Sequence, residues 1–236
     1  MDRLSVSPRL RTAIELAGFG QVAADIGCDH GKLGVKLLRK GLFQRIIATD
    51  ISASSLEKCR ALIERCGLDE MFDTRCGNGL ALIGFSEADT LFILGLGGKQ
   101  IWNILSADIS MRGAGKAVLS PMKDVETLRR ALFTHSFHVI DDRIVQEDRR
   151  LYQVFSVRSG GSPDPLPPGW PEDCFEAGYK CFVRKDPLLP LLVQRRIAAH
   201  RKSISIAAGS PGETILKKKL ADLLTIQSLL AEDTGI

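Results

Sequence analysis

Short apolar runs alternate, over the first 160 residues, with longer stretches in which apolar residues recur every three or four positions. The runs Gln21–Ile26, Arg45–Thr49, Thr90–Leu94 and Lys116–Leu119 predict strands, and the continuous apolar run Thr90–Leu94 predicts a sheet covered on both faces. A shorter run, Asp73–Arg75, predicts a third strand in chain order. The periodic stretches between them predict helices with recognisable ends. Ser7-Pro8 supplies an N-cap and a first-turn proline for a helix that stops at Gly18. Lys32–Lys40 ends at Gly41, and a helix capped by Ser52 ends before Gly67. Another runs from the Gly95–Gly98 turn to Leu105, and Asp124 is placed to cap one reaching His135. His138–Gln146 and Leu151–Val157 then read as an antiparallel pair joined by Glu147-Asp-Arg-Arg150. Strand–helix alternation closed by a hairpin predicts an α/β, doubly wound, mostly parallel seven-stranded sheet.

Beyond Ser159 the pattern changes. Ser159–Pro171 is rich in Gly, Ser and Pro and predicts a linker or an irregular crossing. Leu188–Ile206 and Thr214–Ala231 then show helical periodicity on either side of Ala208-Gly-Ser-Pro-Gly212, which predicts an antiparallel helical hairpin. Leu188, Leu191, Leu192, Arg195 and Ile197/Ala198 trace one stripe; Leu216, Leu220, Leu223/Leu224, Ile226/Gln227 and Leu230 trace the other. The expected division is therefore a ligand-binding α/β domain over residues 1–160 and a linker with a helical hairpin over 161–236.

Charge sharpens this division. Between Lys180 and Lys219 stand ten Lys/Arg (180, 184, 185, 195, 196, 201, 202, 217, 218, 219) against Asp186 and Glu213. That local +8 leaves −4 for the rest of a chain whose total is +4. The asymmetry points to a polyanionic partner for the C-terminal part, with a solvated helical face as the alternative. Six cysteines show no C-x-x-C, and Cys174 and Cys181 have no histidine beside them, so no metal is expected. No apolar run reaches the ~20 residues of a membrane span, and Met1-Asp-Arg-Leu-Ser lacks a signal-peptide core, so the expected location is cytoplasmic, away from membranes. Nothing in the pattern fixes an oligomeric state; a monomer is the simpler expectation.

In open sheets of this kind ligands bind outside the carboxyl ends of the strands. The first strand ends in Asp25-Ile-Gly27-Cys-Asp29-His30-Gly31, and 25 residues after Asp25 the second ends in Asp50. A Gly-punctuated turn followed by a carboxylate at the next strand end is what a nucleoside cofactor requires, the carboxylate taking the ribose hydroxyls. The turn reads D-x-G-x-D-x-G, with Asp29 where a pyrophosphate would want glycine. A carboxylate there repels phosphate and accepts a cationic ligand, so S-adenosylmethionine suits the turn better than a dinucleotide. Asn78, between Gly77 and Gly79, either permits a left-handed turn or pairs with an adenine edge. Gly95, Gly97 and Gly98 suggest close backbone approach, though a tight strand-to-helix turn also needs glycines. His30 is either structural or a base.

Three motifs carry a family resemblance that extends over essentially the whole chain. Asp25-Ile-Gly-Cys-Asp29-His30 resembles D-I-G-S-D-H, Gly77-Asn78-Gly79-Leu80 resembles G-D-G-L, and Ile93-Leu-Gly95-Leu-Gly97-Gly98 resembles I-A-G-M-G-G of the bacterial tRNA adenine-22 N1-methyltransferases. The resemblance implies a class I methyltransferase sheet with a helical C-terminal tail, S-adenosylmethionine as donor and tRNA as acceptor. Strand-end position and motif together place the expected cofactor contacts at Asp25, Gly27, Asp29, Asp50, Ile51, Gly77, Asn78, Gly79, Gly95 and Gly97, and location at the strand ends places the expected acceptor chemistry at Asp29, His30, Ser120 and Pro121. This chain departs from the family at Asn78, where Asp is usual, and at Ser120-Pro121-Met122, where Q-P-N is usual. It departs again at Lys32 and Gly34, where Tyr and Pro are usual. The other functions compatible with these features are methylation of a small molecule or another RNA, and non-catalytic binding of RNA and cofactor.

Overall fold

The computed structural model describes residues 6–161 and 165–233. In chain order the elements are α1 (Pro8–Ala17), β1 (Val22–Ile26), α2 (Lys32–Arg39), β2 (Arg45–Asp50), α3 (Ala53–Cys66) and β3 (Phe72–Cys76). There follow β4 (Thr90–Leu94), α4 (Gly98–Ser106), β5 (Lys116–Ser120), α5 (Val125–Thr134), β6 (Phe137–Glu147) and β7 (Arg150–Ser159). The chain ends in α6 (Tyr179–Val183), α7 (Leu189–Ile206) and α8 (Pro211–Asp233). The seven strands form one sheet in the order β3-β2-β1-β4-β5-β7-β6, parallel except at β7 and β6. The order reverses between β1 and β4, and there the crevice for a ligand opens.

Alternation along each strand divides the sheet between two layers. Leu91 and Ile93 of β4 face α4 and α5, packing with Ile101, Leu105, Leu128 and Leu132. Phe92 faces the other side with Ala13, Leu33, Leu37, Leu56 and Ile63 of α1, α2 and α3. Ser7 caps α1 by accepting from Leu10 N at 3.3 Å, and Ser52 caps α3 by accepting from Ser55 N at 3.3 Å. Asp124 does not cap α5: its backbone is left-handed (φ 56°), which turns its side chain away from the helix's free N–H groups.

The C-terminal region departs from its predicted form in two ways. The described part of the segment after β7 is irregular, and it is packed rather than free: Trp170 within it, and Cys174 and Ala177 just beyond it, are buried in a third apolar cluster with Ile144 of β6; positions 162–164 lie outside the described residues. Five residues, Tyr179–Val183, form α6, too short for periodicity to reveal. The α7 stripe is Leu189, Leu192, Val193 and Ile197, with Arg195 and Ala198 exposed, whereas α8 buries Leu223 and Ile226 as expected. The helices α7 and α8, joined through Ala207–Ser210, pack on each other and on the β6–β7 hairpin.

A buried ion pair ties this region to the sheet. The register of β6 against β7 shifts between Val139 and Asp141, and the bulge presents Asp142 inward. Arg129 Nη2 donates to Asp142 Oδ2 at 2.5 Å, and its Nη1 donates to Gln153 Oε1 at 2.7 Å and to Phe175 O at 3.3 Å. Gly178 lies directly against this pair, with no room for a Cβ between it and the Asp142 carboxylate. Gly178→Ala is therefore expected to lower stability by about 2–3 kcal/mol, measured by urea unfolding, because neither partner can withdraw without losing a buried hydrogen bond.

Candidate functional site

A cleft of about 760 Å³ opens over the carboxyl ends of β1, β2 and β4, within the range of small-molecule sites. Its floor is the turn between β1 and α2. Gly27 N and Cys28 N both donate to Thr49 O, at 2.8 and 3.0 Å, so the turn is pinned to β2. Gly27 has φ 76° and Gly31 φ 68°, and Cys59 Sγ lies where a Cβ on Gly31 would stand. Glycine is required at both for backbone reasons.

Asp50 ends β2 at the cleft wall. Its Oδ2 accepts from Asp29 N at 3.2 Å and its Oδ1 from Ser52 N at 2.9 Å. Each carboxylate oxygen keeps a lone pair for a further donor, and both are fixed in place before any ligand arrives. Beside it Ile51 is 78% exposed, a large apolar surface open to the cleft. Asn78 and Ile104 line the same cleft. The backbone distinguishes the two roles open to Asn78. Gly77 (φ 151°) and Gly79 (φ 47°) take the turn conformations, while Asn78 itself is extended (φ −89°) and exposed to the cleft.

Asp25 lies deeper, 5% exposed at the base of the cleft. Burial, then the neighbouring carboxylates of Asp50 and Asp29, push its pKa up to about 7. Among the described residues no cation pairs with it. Such a carboxylate becomes fully ionised when a ligand brings a positive charge. At the mouth His30 Nδ1 and Asp29 Oδ2 are 2.6 Å apart, both partly exposed, so the Asp29 carboxylate orients the imidazole.

Of the residues predicted for this site, Asp25, Gly27, Asp29, His30, Asp50, Ile51, Gly77, Asn78, Gly79 and Gly95 all line the one cleft. Three do not. Gly97 is buried at the start of α4, where its N–H donates to Gln100 Oε1 at 3.0 Å. Its neighbour Gly98 packs directly on the backbone of Asp124, so the second half of that glycine run serves helix–loop packing. Ser120 is 0% exposed with an unpartnered hydroxyl, and Pro121 is buried beside it, so neither reaches the cleft surface in this conformation. The cleft also includes Lys32 from α2, which the sequence marks only as a departure from the family motif, and residues the motifs did not point to: Ser7, Arg9 and Leu10 from the start of α1, and Gln100 and Asn103 from α4. The strand-end rule finds strand ends only. Helix residues arriving from elsewhere leave no local signal.

The basic C-terminal segment is largely engaged with the protein itself. Lys219 Nζ meets Glu126 Oε2 of α5 at 2.5 Å, Lys218 pairs with Asp173, and Lys217 Nζ meets Glu213 Oε1 at 2.7 Å. Arg184 Nη1 lies 2.6 Å from Asp141 Oδ1, and His200 Nε2 lies 2.7 Å from Glu176 Oε1. Lys218 and Lys219 thus fasten α8 to acidic groups on the rest of the molecule, His200 ties α7 to Glu176, and Lys217 pairs within α8. Among the described residues no helix is long and apolar enough to cross a membrane, and no group of side chains is set to hold a metal ion.

Comparison with known proteins agrees with this geometry. The family described as "Methyltransferase domain" matches residues 6–155. The tRNA (adenine(22)-N(1))-methyltransferase of Bacillus subtilis is 32% identical over 161 residues, 68% of each chain. Among solved structures, the B. subtilis m1A22 tRNA methyltransferase TrmK is 26% identical with a TM-score of 0.77, covering 97% of this chain and 98% of that one. The M. capricolum TrmK in complex with S-adenosylhomocysteine shares the fold, with a TM-score of 0.82 at 22% identity over 95% of this chain and 99% of its own.

Proposed function

Because this chain belongs to the tRNA (adenine(22)-N(1))-methyltransferase family, we propose that it transfers a methyl group from S-adenosylmethionine to N1 of an adenine in tRNA, at position 22. The observation that carries the reading is the pairing of a pre-oriented Asp50 with a buried, cation-seeking Asp25 in one cleft. The residues present fit this donor group by group. Asp50 offers two fixed acceptors to the ribose hydroxyls. Ile51 and Ile104 offer apolar cover to the adenine ring, with the Asn78 amide at its edge. Asp25 would meet the ammonium of the methionine end. Gly95 is exposed, and no atom lies within 4 Å of where a Cβ on it would stand, so the β4 edge is open to close approach.

Bound there, S-adenosylmethionine supplies an electrophilic methyl group on its sulfonium. The protein's part is to bring the acceptor nitrogen to it. Adenine N1 carries an in-plane lone pair, so no base is needed before attack, and positioning supplies most of the rate: holding two reactants together is worth roughly 7–11 kcal/mol. The proton lost afterwards leaves from the exocyclic amine. His30 stands at the cleft mouth with Nδ1 turned to Asp29, which leaves Nε2 to accept that proton. A base within folded tRNA must also leave its stack, at a cost of a few kcal/mol that phosphate contacts offset.

The test is transfer of labelled methyl from S-adenosylmethionine to bulk tRNA, followed by digestion to nucleosides. Label in 1-methyladenosine is the expected result. Label in another nucleoside, or none, overturns the assignment. Substituting Lys217–Lys219 together is a poor probe of RNA binding, because Lys218 and Lys219 also hold α8 to Asp173 and Glu126.

A further inference from the structure

Resting on that reading, we propose that Arg9 grips a phosphate of the tRNA beside the target adenosine. The loop after β5, where the family's Q-P-N triplet would offer amides, here offers a buried Ser120, a buried Pro121 and a thioether at Met122, which is 40% exposed. Polar contact with the acceptor at that end of the cleft must come from another element, and α1 supplies it. Arg9 N donates to Glu147 Oε1 at 2.8 Å, which anchors the start of the helix to the β6–β7 turn. From there the side chain crosses the cleft wall. Its guanidinium lies 4.8 Å over the Tyr152 ring and its Nη1 contacts Met122 Sδ.

Three features suit this group to a phosphate. Stacking on Tyr152 fixes the guanidinium plane, so little freedom is lost when its fork engages an oxyanion. Among the described residues no carboxylate pairs with it, in contrast to Lys217, Lys218, Lys219 and Arg184 of the C-terminal segment, each of which meets an acid. Its position also separates it from the donor's half of the cleft. Asp25 and Asp50 belong to β1 and β2, whereas Met122 and Tyr152 belong to the β5 end and β7, on the far side of β4. Arg9 thus stands where the acceptor strand enters, reaching its anion from the side opposite the ribose-binding carboxylate.

The experiment compares wild type with Arg9→Gln and Arg9→Lys in steady-state methylation of tRNA over a range of salt concentrations, alongside calorimetry with S-adenosylmethionine. In Arg9→Gln the KM for tRNA is expected to rise about tenfold, with kcat and cofactor affinity within about twofold, and the log–log salt slope to shrink by about 1, the signature of one lost phosphate contact. Arg9→Lys, which keeps the charge, is expected to restore the slope. A role in folding alone would not move that slope. Unchanged KM and slope in Arg9→Gln overturn the proposal. So does a fall in cofactor affinity matching the rise in KM, which would put the guanidinium on the donor's carboxylate instead. A wild-type protein that methylates no tRNA would overturn the underlying function, a result distinct from any behaviour of the Arg9 variants.

Discussion

Asp50→Ala is expected to lower the affinity for S-adenosylmethionine by about 100-fold or more. The magnitude follows if the proposed ribose site loses two charge-assisted hydrogen bonds, each worth about 1.5–3 kcal/mol. The loss has a second source. Asp50 accepts from Asp29 N and Ser52 N, so its removal also loosens the Asp29 end of the turn and the start of α3, while Gly27 N and Cys28 N stay bonded to Thr49 O. Asp50→Asn, which keeps one acceptor oxygen and the size of the side chain, falls between. Calorimetry measures all three proteins directly. Wild-type affinity in Asp50→Ala would mean that the ribose lies elsewhere.

Asp25→Asn is expected to weaken the cofactor and stabilise the empty protein at once. The native carboxyl is held at about 7, far above its ordinary value of 3.8, by burial first and by Asp50 and Asp29 second. The unfolded chain therefore binds fewer protons than the native one between those values. The stability Asp25 contributes is complete below the unfolded pKa and is lost as pH rises through about 7. At about 1.4 kcal/mol per unit, the ionised residue costs the native state up to about 4 kcal/mol at pH 8. Removing its charge is expected to raise Tm at pH 8 by up to about 8–16 °C, at about 2–4 °C per kcal/mol for a chain of this size. The gain shrinks as pH falls towards 4. Cofactor binding has the opposite sign. A ligand cation favours the ionised form, so wild-type affinity falls as pH drops below about 7, while the Asn variant binds weakly with a flat profile through that range. Scanning calorimetry and titration calorimetry across pH 5–8 separate the two effects. A Tm at pH 8 no higher in the variant would show that ionised Asp25 does not destabilise the empty cleft.

The sheet and the cofactor turn are legible in the sequence, and the acceptor side is not, because the signals differ in range. Apolar runs, caps and Gly-bounded turns are local. The Asp25–Gly31 turn and the strand-end Asp50 announce themselves within a few positions, and both stand where the pattern places them. Arg9 meets Met122 across 113 residues, and no window of sequence holds both. Ser120 sits at a strand end like Asp50, yet packing of its surroundings, not its position in the chain, decides that it is buried. The C-terminal cations can be counted in the sequence but their partners cannot be found there, since Lys219 pairs with Glu126 93 residues away. Asp124 has the right side chain for a cap in the wrong backbone conformation, and α6 has only five residues, fewer than two turns of an α-helix.

If this cleft directs methyl transfer to one adenine of tRNA, the choice of nucleotide is its most exposed consequence. The most direct measurement uses two transcripts of a single tRNA, one with adenine at position 22 and one with guanine there. Each is incubated with the enzyme and labelled S-adenosylmethionine and mapped by nuclease fragments and mass. The expected result is 1-methyladenosine at position 22 of the first transcript and no label in the second. Equal label in both transcripts, or label at another nucleotide of the first, would contradict it.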